Sequence, residues 1–385
     1  MKLPLANVTV VSLEQAIAAP LASRHLADWG ARVIKIERNA VGDFARGYDT
    51  AMHGMSSQFV WANRTKESLE LDIKTEFGQE ALHHLLSRAD VFIQNLAPGA
   101  AKKVGLDAKA LVERYPGLVA CDISGYGSTG PYSKKKAYDL LVQCESGFLS
   151  INGSAEQPAK CGLSIVDIAT GMYALNGILM ALYRRERTGE GTALEVSLFD
   201  SITEWMSYPA YFTRDGGQPL KRTGLRHATI APYGPFTAGD GKVIFFGIQN
   251  QREWKNFCDN VLEAPSVCSD SRFLTNPDRV RNRDELDALI NRCFAKWNSE
   301  ELVNRLEKAA IANGRLNDVG SFLEHPQLHE RGRIKTVDSP KGTLEVFLPP
   351  VIIHGMEPML GPVPAVGQHT SAILEELGMS VQAEQ

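Results

Sequence analysis

Val8-Thr-Val-Val-Ser-Leu13-Glu-Gln-Ala-Ile-Ala-Ala-Pro20-Leu-Ala-Ser-Arg-His-Leu-Ala-Asp-Trp29-Gly-Ala-Arg32-Val-Ile-Lys-Ile36 reads as strand, helix and strand. Val8 to Leu13 and Arg32 to Ile36 are short β-rich runs, and Pro20 to Trp29 between them is helical. Strands joined through a helix at this spacing pair in parallel by right-handed crossovers. The pattern continues outward with strands at Ser68 to Leu71, Val91 to Ile93, Leu118 to Ser124 and Ala193 to Leu198, and a helix from Phe77 to Arg88. The expected fold class is α/β, an open Rossmann-like parallel sheet that binds ligands at the carboxyl ends of its strands. The first βα turn holds no glycine, which argues against NAD or FAD in the usual mode, and no P-loop sequence occurs.

A second stretch, Ser164 to Gly191, reads as a long buried helix with small residues at Ala169, Gly171, Ala174, Gly177 and Ala181, and with Gly189 as its stop. Asp167 at its head is expected to be the N-cap, kept ionised by the helix dipole. A carboxylate in that place is a cap first and a candidate nucleophile second.

At 385 residues the chain suggests two domains. Apolar residues make up 44% and charged residues 22%, with a net charge of −4, so a globular protein without a basic stripe for nucleic acid is expected. No uninterrupted apolar run reaches membrane-spanning length, and the N-terminus lacks a secretory pattern, so the expected location is cytoplasmic. Six scattered cysteines without Cys-x-x-Cys point to reduced thiols and no structural metal. Residues 1–213 are expected to form most of a large domain. Residues 214–330, a linker followed by a hairpin about Gly239-Asp-Gly241 and several helices, are expected to form a small α+β domain, and residues 331–385 to return and complete the first.

Several separate motifs then carry a resemblance. They are Val33-Ile-Lys-Ile-Glu-Arg38 with Gly42-Asp43, Asn63-Arg-Thr-Lys-Glu-Ser-Leu-Glu-Leu-Asp72, Phe92-Ile-Gln-Asn-Leu-Ala-Pro-Gly99, Ser124-Gly-Tyr-Gly127, Ala137-Tyr-Asp139 with Gln143, Asp167 with Thr170-Gly-Met172, and Arg187-Thr-Gly-Glu-Gly191. In this order they resemble the class III CoA-transferases, the formyl-CoA transferase and carnitine CoA-transferase family, and His325-Pro-Gln-Leu-His-Glu-Arg331 extends the match.

The resemblance implies that Asp167 attacks an acyl-CoA thioester and carries the acyl group as an anhydride and CoA as a thioester. It further implies coenzyme A as substrate, with no metal, nicotinamide or flavin. Arg38, Asn95, Lys103 and Lys136 match positions beside the CoA, and Tyr138 matches a tyrosine near the reacting acyl group. Surface charge or core packing is the plain alternative for each. Two departures stand out: Ile17 aligns with the glutamine of formyl-CoA transferase, and Val243 to Arg252 replaces its glycine-rich loop. Substrate choice must therefore differ.

The segments around Arg46 and around Arg226 and His227 resemble the subgroup that moves CoA from succinyl-CoA to itaconate, mesaconate, citramalate or malate, with these three residues as candidate clamps for a second carboxylate. The alternative on the same fold is an α-methylacyl-CoA racemase. There the position of Tyr138 is a histidine, and a phenol is a poor base at neutral pH. A non-catalytic CoA-binding member is disfavoured by the intact Asp167. The family's architecture implies an obligate homodimer of interlocked rings, with acyl-CoA and a small carboxylic acid as its other partners.

Overall fold

A computed structural model describes residues 2–379 and divides them into two compact units. The first comprises the chain up to Gly147, Cys161–Ser207, and the chain from Leu328 onward; the second comprises Phe148–Lys160 and Tyr208–Gln327. The long excursion thus begins at Tyr208 rather than residue 214. The short segment 148–160 also leaves the first unit, which the sequence reading did not expect.

In the first unit six strands, β1 (Thr9–Leu13), β2 (Arg32–Glu37), β3 (Glu67–Glu70), β4 (Val91–Gln94), β5 (Val119–Ser124) and β6 (Thr192–Ser197), form one sheet in the order β3-β2-β1-β4-β5-β6, every pair parallel. This is the strand order of dinucleotide-binding folds, and it reverses direction between β1 and β4. The helices of this unit include α1 (Ala18–Asp28), α2 (Ser57–Asn63), α3 (Glu76–Leu86), α4 (Ala100–Lys103), α5 (Ala108–Arg114), α6 (Asp139–Glu145), α8 (Ile165–Thr188) and α9 (Leu198–Trp205), while α7 (Phe148–Ile151) lies in the short segment that leaves this unit.

Alternate residues of the strands face opposite sides. Val11, Ile34, Leu69 and Phe92 pack against Leu82, Leu85 and Leu86 of α3, and Ile373 and Leu374 of the helix Thr370–Glu376 join them. The other face is covered by α1 and α8. Their contact is close because Gly171 faces Ala18: a Cβ there would lie 2.6 Å from the Ala18 carbonyl oxygen. Of the small residues read from the sequence, Gly171 serves this helix crossing, while Gly177 faces Leu194 of β6. The exposed edge of β3 is closed by the returning chain, where the Ser68 and Glu70 amides donate to His369 Nδ1 and Thr370 Oγ1.

The second unit holds the antiparallel pair β7 (Tyr233–Thr237) and β8 (Val243–Gly247), with β9 (Asn313–Arg315) along β8. The turn between β7 and β8 needs positive φ at Gly241. Phe236, Phe246, Trp254, Phe257 and Phe294 fill its own core. Back in the first unit, β10 (Ile334–Val337) and β11 (Leu344–Phe347) form a two-stranded ribbon.

Candidate active site

A cleft of about 470 Å³ opens at the carboxyl ends of β1, β2, β3 and β4, where the strand order reverses. Leu13, Ile36, Leu71 and Leu96 give it an apolar floor, and Gln15, Arg38 and Lys74 stand at its polar rim. An apolar slot with cations at its edge suits a long molecule with an anionic end. The first βα turn beside it is tied by side chains. Asn95 Oδ1 accepts from the Gln15 amide at 2.8 Å, and Asn95 Nδ2 donates to the Gln15 carbonyl at 2.7 Å. Asp43 Oδ1 accepts from the Ala16 amide at 3.2 Å, and Ala16 holds φ +63°. Two of the amides that a glycine-rich turn would offer to a pyrophosphate are already taken.

The residues read as CoA contacts fall around this cleft in different ways. Arg38 lines it, with its guanidinium folded onto the Gly42 carbonyl at 3.0 and 3.2 Å. Asn95 holds the turn next to it. Lys103 is exposed on α4, whose Ala100 lines the cleft, and Lys136 is exposed just before Tyr138. Gln15, not Ile17, faces the cleft; Ile17 is buried.

Asp167 sits in the first turn of α8, but not as its cap. The helix begins at Ile165 after Ser164, which makes no side-chain capping bond, so Asp167 is the third helical residue. The cap comes from elsewhere in the chain: Asp139 Oδ1 accepts from the Val166 amide at 2.8 Å and from the Asp167 amide at 3.3 Å. Gln143 Nε2 holds the other Asp139 oxygen at 2.6 Å, and Gln143 Oε1 accepts from the Cys161 amide. The charge state is corrected along with the position. Burial, helped by the Asp139 charge, pushes the Asp167 carboxyl up to about 7, whereas a dipole-stabilised cap was expected to stay ionised. The side chain is nonetheless partly accessible.

Tyr48 completes this neighbourhood. Its phenol is pushed up to about 12 by burial and by the charges of Asp43, Asp167 and Tyr138. Tyr138, expected near the reacting group, is exposed and immediately precedes α6. The Asp43–Tyr48 segment is held by buried charges. Lys35 Nζ meets Asp43 Oδ2 at 2.8 Å, and Glu37 takes both the Asp43 amide and the Arg46 guanidinium. Burial would raise the Glu37 carboxyl, but Arg46 and Lys35 outweigh it and hold it at about 2. Arg46 also donates to the Pro364 carbonyl and lies 3.8 Å over the Phe59 ring. Read as a clamp for substrate carboxylate, its guanidinium is here bound into the protein.

Arg226 and His227 belong to the second unit. Arg226 Nε pairs with Asp287 Oδ2 at 2.8 Å, and the His227 ring stacks on Tyr233 with centroids 5.3 Å apart. Burial and the Arg283 charge lower the His227 pKa, which favours the neutral ring at neutral pH. Sequence reasoning quoted Asp139 and Gln143 but assigned neither. Their i, i+4 spacing on a helix was the available signal. Tyr48 offered none beyond its place near Asp43.

A half-buried carboxyl titrating near neutrality can act as a nucleophile or as an acid/base group. Comparison with known proteins decides the class. The pattern described as CoA-transferase family III matches residues 5–370. The chain is 33% identical to a succinate–glutarate CoA-transferase of Agrobacterium fabrum, covering 98% of this chain and 96% of that one. It is 30% identical to a succinyl-CoA:mesaconate CoA-transferase of Haloarcula hispanica over 97% of this chain and 96% of that one. A crystal structure of a CaiB/BaiF family protein from Brucella suis superposes with a TM-score of 0.83 at 32% identity, covering 98% of this chain and all of that one. With the sheet order, the cleft and a match that runs almost end to end, the chain belongs to the class III CoA-transferases, and it is an enzyme of that family.

Proposed function

We propose that this enzyme moves CoA from succinyl-CoA to a C4 or C5 dicarboxylate, with Asp167 as the covalent relay. The observation that carries the reading is the desolvated Asp167 carboxyl in a first helical turn that Asp139 fixes. The glutarate and mesaconate transferases, similar over nearly their whole length, support the donor and the class of acceptor.

In the proposed cycle an Asp167 oxygen attacks the thioester carbonyl. The C–S bond breaks, CoA leaves as thiolate, and an aspartyl succinyl anhydride forms. The thiolate then attacks the Asp167 acyl carbon, releasing succinate and leaving an aspartyl-CoA thioester. The acceptor carboxylate displaces the thiolate to form a second anhydride. Attack of the thiolate on the acceptor's acyl carbon completes the new thioester and frees Asp167. No net proton is taken up or lost. Desolvation strengthens a carboxylate that would be a weak nucleophile in water.

Arg38, Lys103 and Lys136 are proposed for the anionic end of CoA, Asn95 for the pantetheine side and Tyr138 for the acyl end. Arg226 and His227 are proposed for the acceptor's second carboxylate, and Arg46 for holding Glu37 in place. The enzyme is proposed to be an obligate homodimer. Met172, Leu179, Met180 and Tyr183 lie 40 to 67% exposed along α8, and so large an apolar face calls for cover.

An Asp167 that titrates near neutrality would also suit a proton shuttle, which keeps the racemase reading as the competitor. One experiment separates them. The enzyme is incubated in deuterium oxide with succinyl-CoA and, in turn, glutarate, mesaconate, itaconate, citramalate and malate, and the acyl-CoA products are weighed by mass spectrometry. New acyl-CoA species that need Asp167 support transfer. In a parallel incubation with a chiral 2-methylacyl-CoA in place of succinyl-CoA, deuterium at its α-carbon without any acyl exchange in either incubation would support racemisation instead.

A further inference from the structure

We propose that Asp139 is a positioning residue for CoA transfer: Oδ1 fixes the first turn of α8, and with it the Asp167 carboxylate, while the Asp139 charge makes that carboxylate a stronger nucleophile. This rests on the reading of Asp167 as the nucleophile. The geometry comes first. Nothing local caps α8, because Ser164 makes no capping bond, and the cap is supplied from α6, 28 and 27 positions earlier than the amides of Asp167 and Val166 that it holds. Asp139 is itself held. Gln143 donates to its second oxygen at 2.6 Å and is anchored in turn by the Cys161 amide at 3.1 Å. A chain of three contacts therefore sets where the reacting oxygens lie.

The electrostatics follow from the placement. Two carboxylates close together cannot both ionise freely, so the second makes the first more basic. A more basic carboxylate is the better nucleophile once it is ionised. The other neighbours do not replace this effect. Tyr48 approaches from the 43–48 segment, and Asp43, beside Tyr48, is paired with Lys35. Tyr138 stands on the loop before α6. Along α1, Ala18 and Leu21 meet α8 at Gly171, while Arg24 and Asp28 pair with each other and Asp28 also with Arg64. On α9, Asp200 accepts from Ser197 Oγ.

The test uses the full-length enzyme with Asp139→Asn, and with Asp139→Asn combined with Gln143→Glu. The first keeps a carbonyl oxygen for the α8 amides and removes the charge. The second restores a donor and an acceptor across the 139/143 contact and moves the charge one side chain outward, which guards against loss of folding in the single variant. The Asp167 carboxyl is followed by carbon-13 NMR against pH, and kcat/KM for acyl exchange is measured over the same range. In both variants the titration and the acidic limb of kcat/KM should fall together by about one pH unit, raising the ionised fraction at pH 6 about fivefold. The alkaline plateau of kcat should drop severalfold while KM for succinyl-CoA holds. A cap without an electrostatic role would move neither the titration nor the limb, and that result overturns the proposal. Hydroxylamine trapping keeps the two readings apart. A titration that moves without any hydroxamate at Asp167 defeats the nucleophile reading and not the coupling; hydroxamate with an unmoved titration does the reverse.

Discussion

Above about pH 7, where Asp167 ionises, the folded chain carries a charge that burial disfavours and that the unfolded chain would hold in water. The folded proton affinity is raised above the ordinary carboxyl value of 3.8, so the stability tied to the protonated form is complete below that value and is lost as pH rises through about 7. Asp167→Asn removes this dependence. It is expected to stabilise the protein at pH 8 by roughly 1–3 kcal/mol, discounted for the side chain's partial access to solvent, and to have little effect at pH 4. Urea melts at both pH values check it, and a gain independent of pH would contradict it. The motif around Asp167 marked it in the sequence as the candidate nucleophile, while its charge was expected to be held by the helix dipole and burial instead raises its proton affinity. An acid at a helix mouth is ordinarily its cap, but the capping carboxylate here comes from Asp139, and a local pattern cannot show a cap supplied from another helix.

Among the elements, the crossing of α1 and α8 is the contact that places Asp167 over the carboxyl end of the sheet. Gly171→Ala would set a methyl group 2.6 Å from the Ala18 carbonyl and force the helices apart. A loss of about 1–3 kcal/mol is expected in denaturant melts, the usual scale for overpacking, with kcat falling more than KM rises. A variant as stable and active as the parent would show that the crossing is loose. The strands of the parallel sheet were readable to within a residue or two: β1, β4 and β5 are nearly continuous buried apolar runs, whereas the edge strands β3 and β6, with Glu67, Glu70 and Glu195, were placed by their spacing from the neighbouring helices. The short helices α4 and α7 and strand β9 were not, since elements of three or four residues are fixed by what they pack against and carry little signal of their own. Segment 148–160 was missed for the same reason: its sequence continues that of the large unit, and only its contacts assign it to the other.

For the whole molecule, the exposed face of α8 carries the assembly prediction. It is 24 residues long and apolar enough by length and composition to cross a membrane, and only 39% of its most apolar window is buried in the isolated chain. One face of the helix packs on α1 at Gly171, and the proposed cover of the opposite face, with Met172, Leu179, Met180 and Tyr183, is a second copy of the chain. Light scattering should report a dimer, and the midpoint of thermal unfolding should rise with protein concentration. Met180→Glu should weaken the assembly. A stable, fully active monomer would end the dimer reading, and capture by neutral lipid vesicles would replace it with a membrane. The family, and with it CoA transfer, was legible from motifs spread along the chain; the acid it accepts was not, because its candidate clamps are single basic residues and one of them, Arg46, is bound into the protein. The central claim is covalent chemistry at Asp167. The enzyme is mixed with succinyl-CoA, quenched with hydroxylamine and mapped by peptide mass spectrometry: a hydroxamate at Asp167, formed only when the thioester is present, is the predicted result, and an unmodified Asp167 in an enzyme that is turning over would contradict the account.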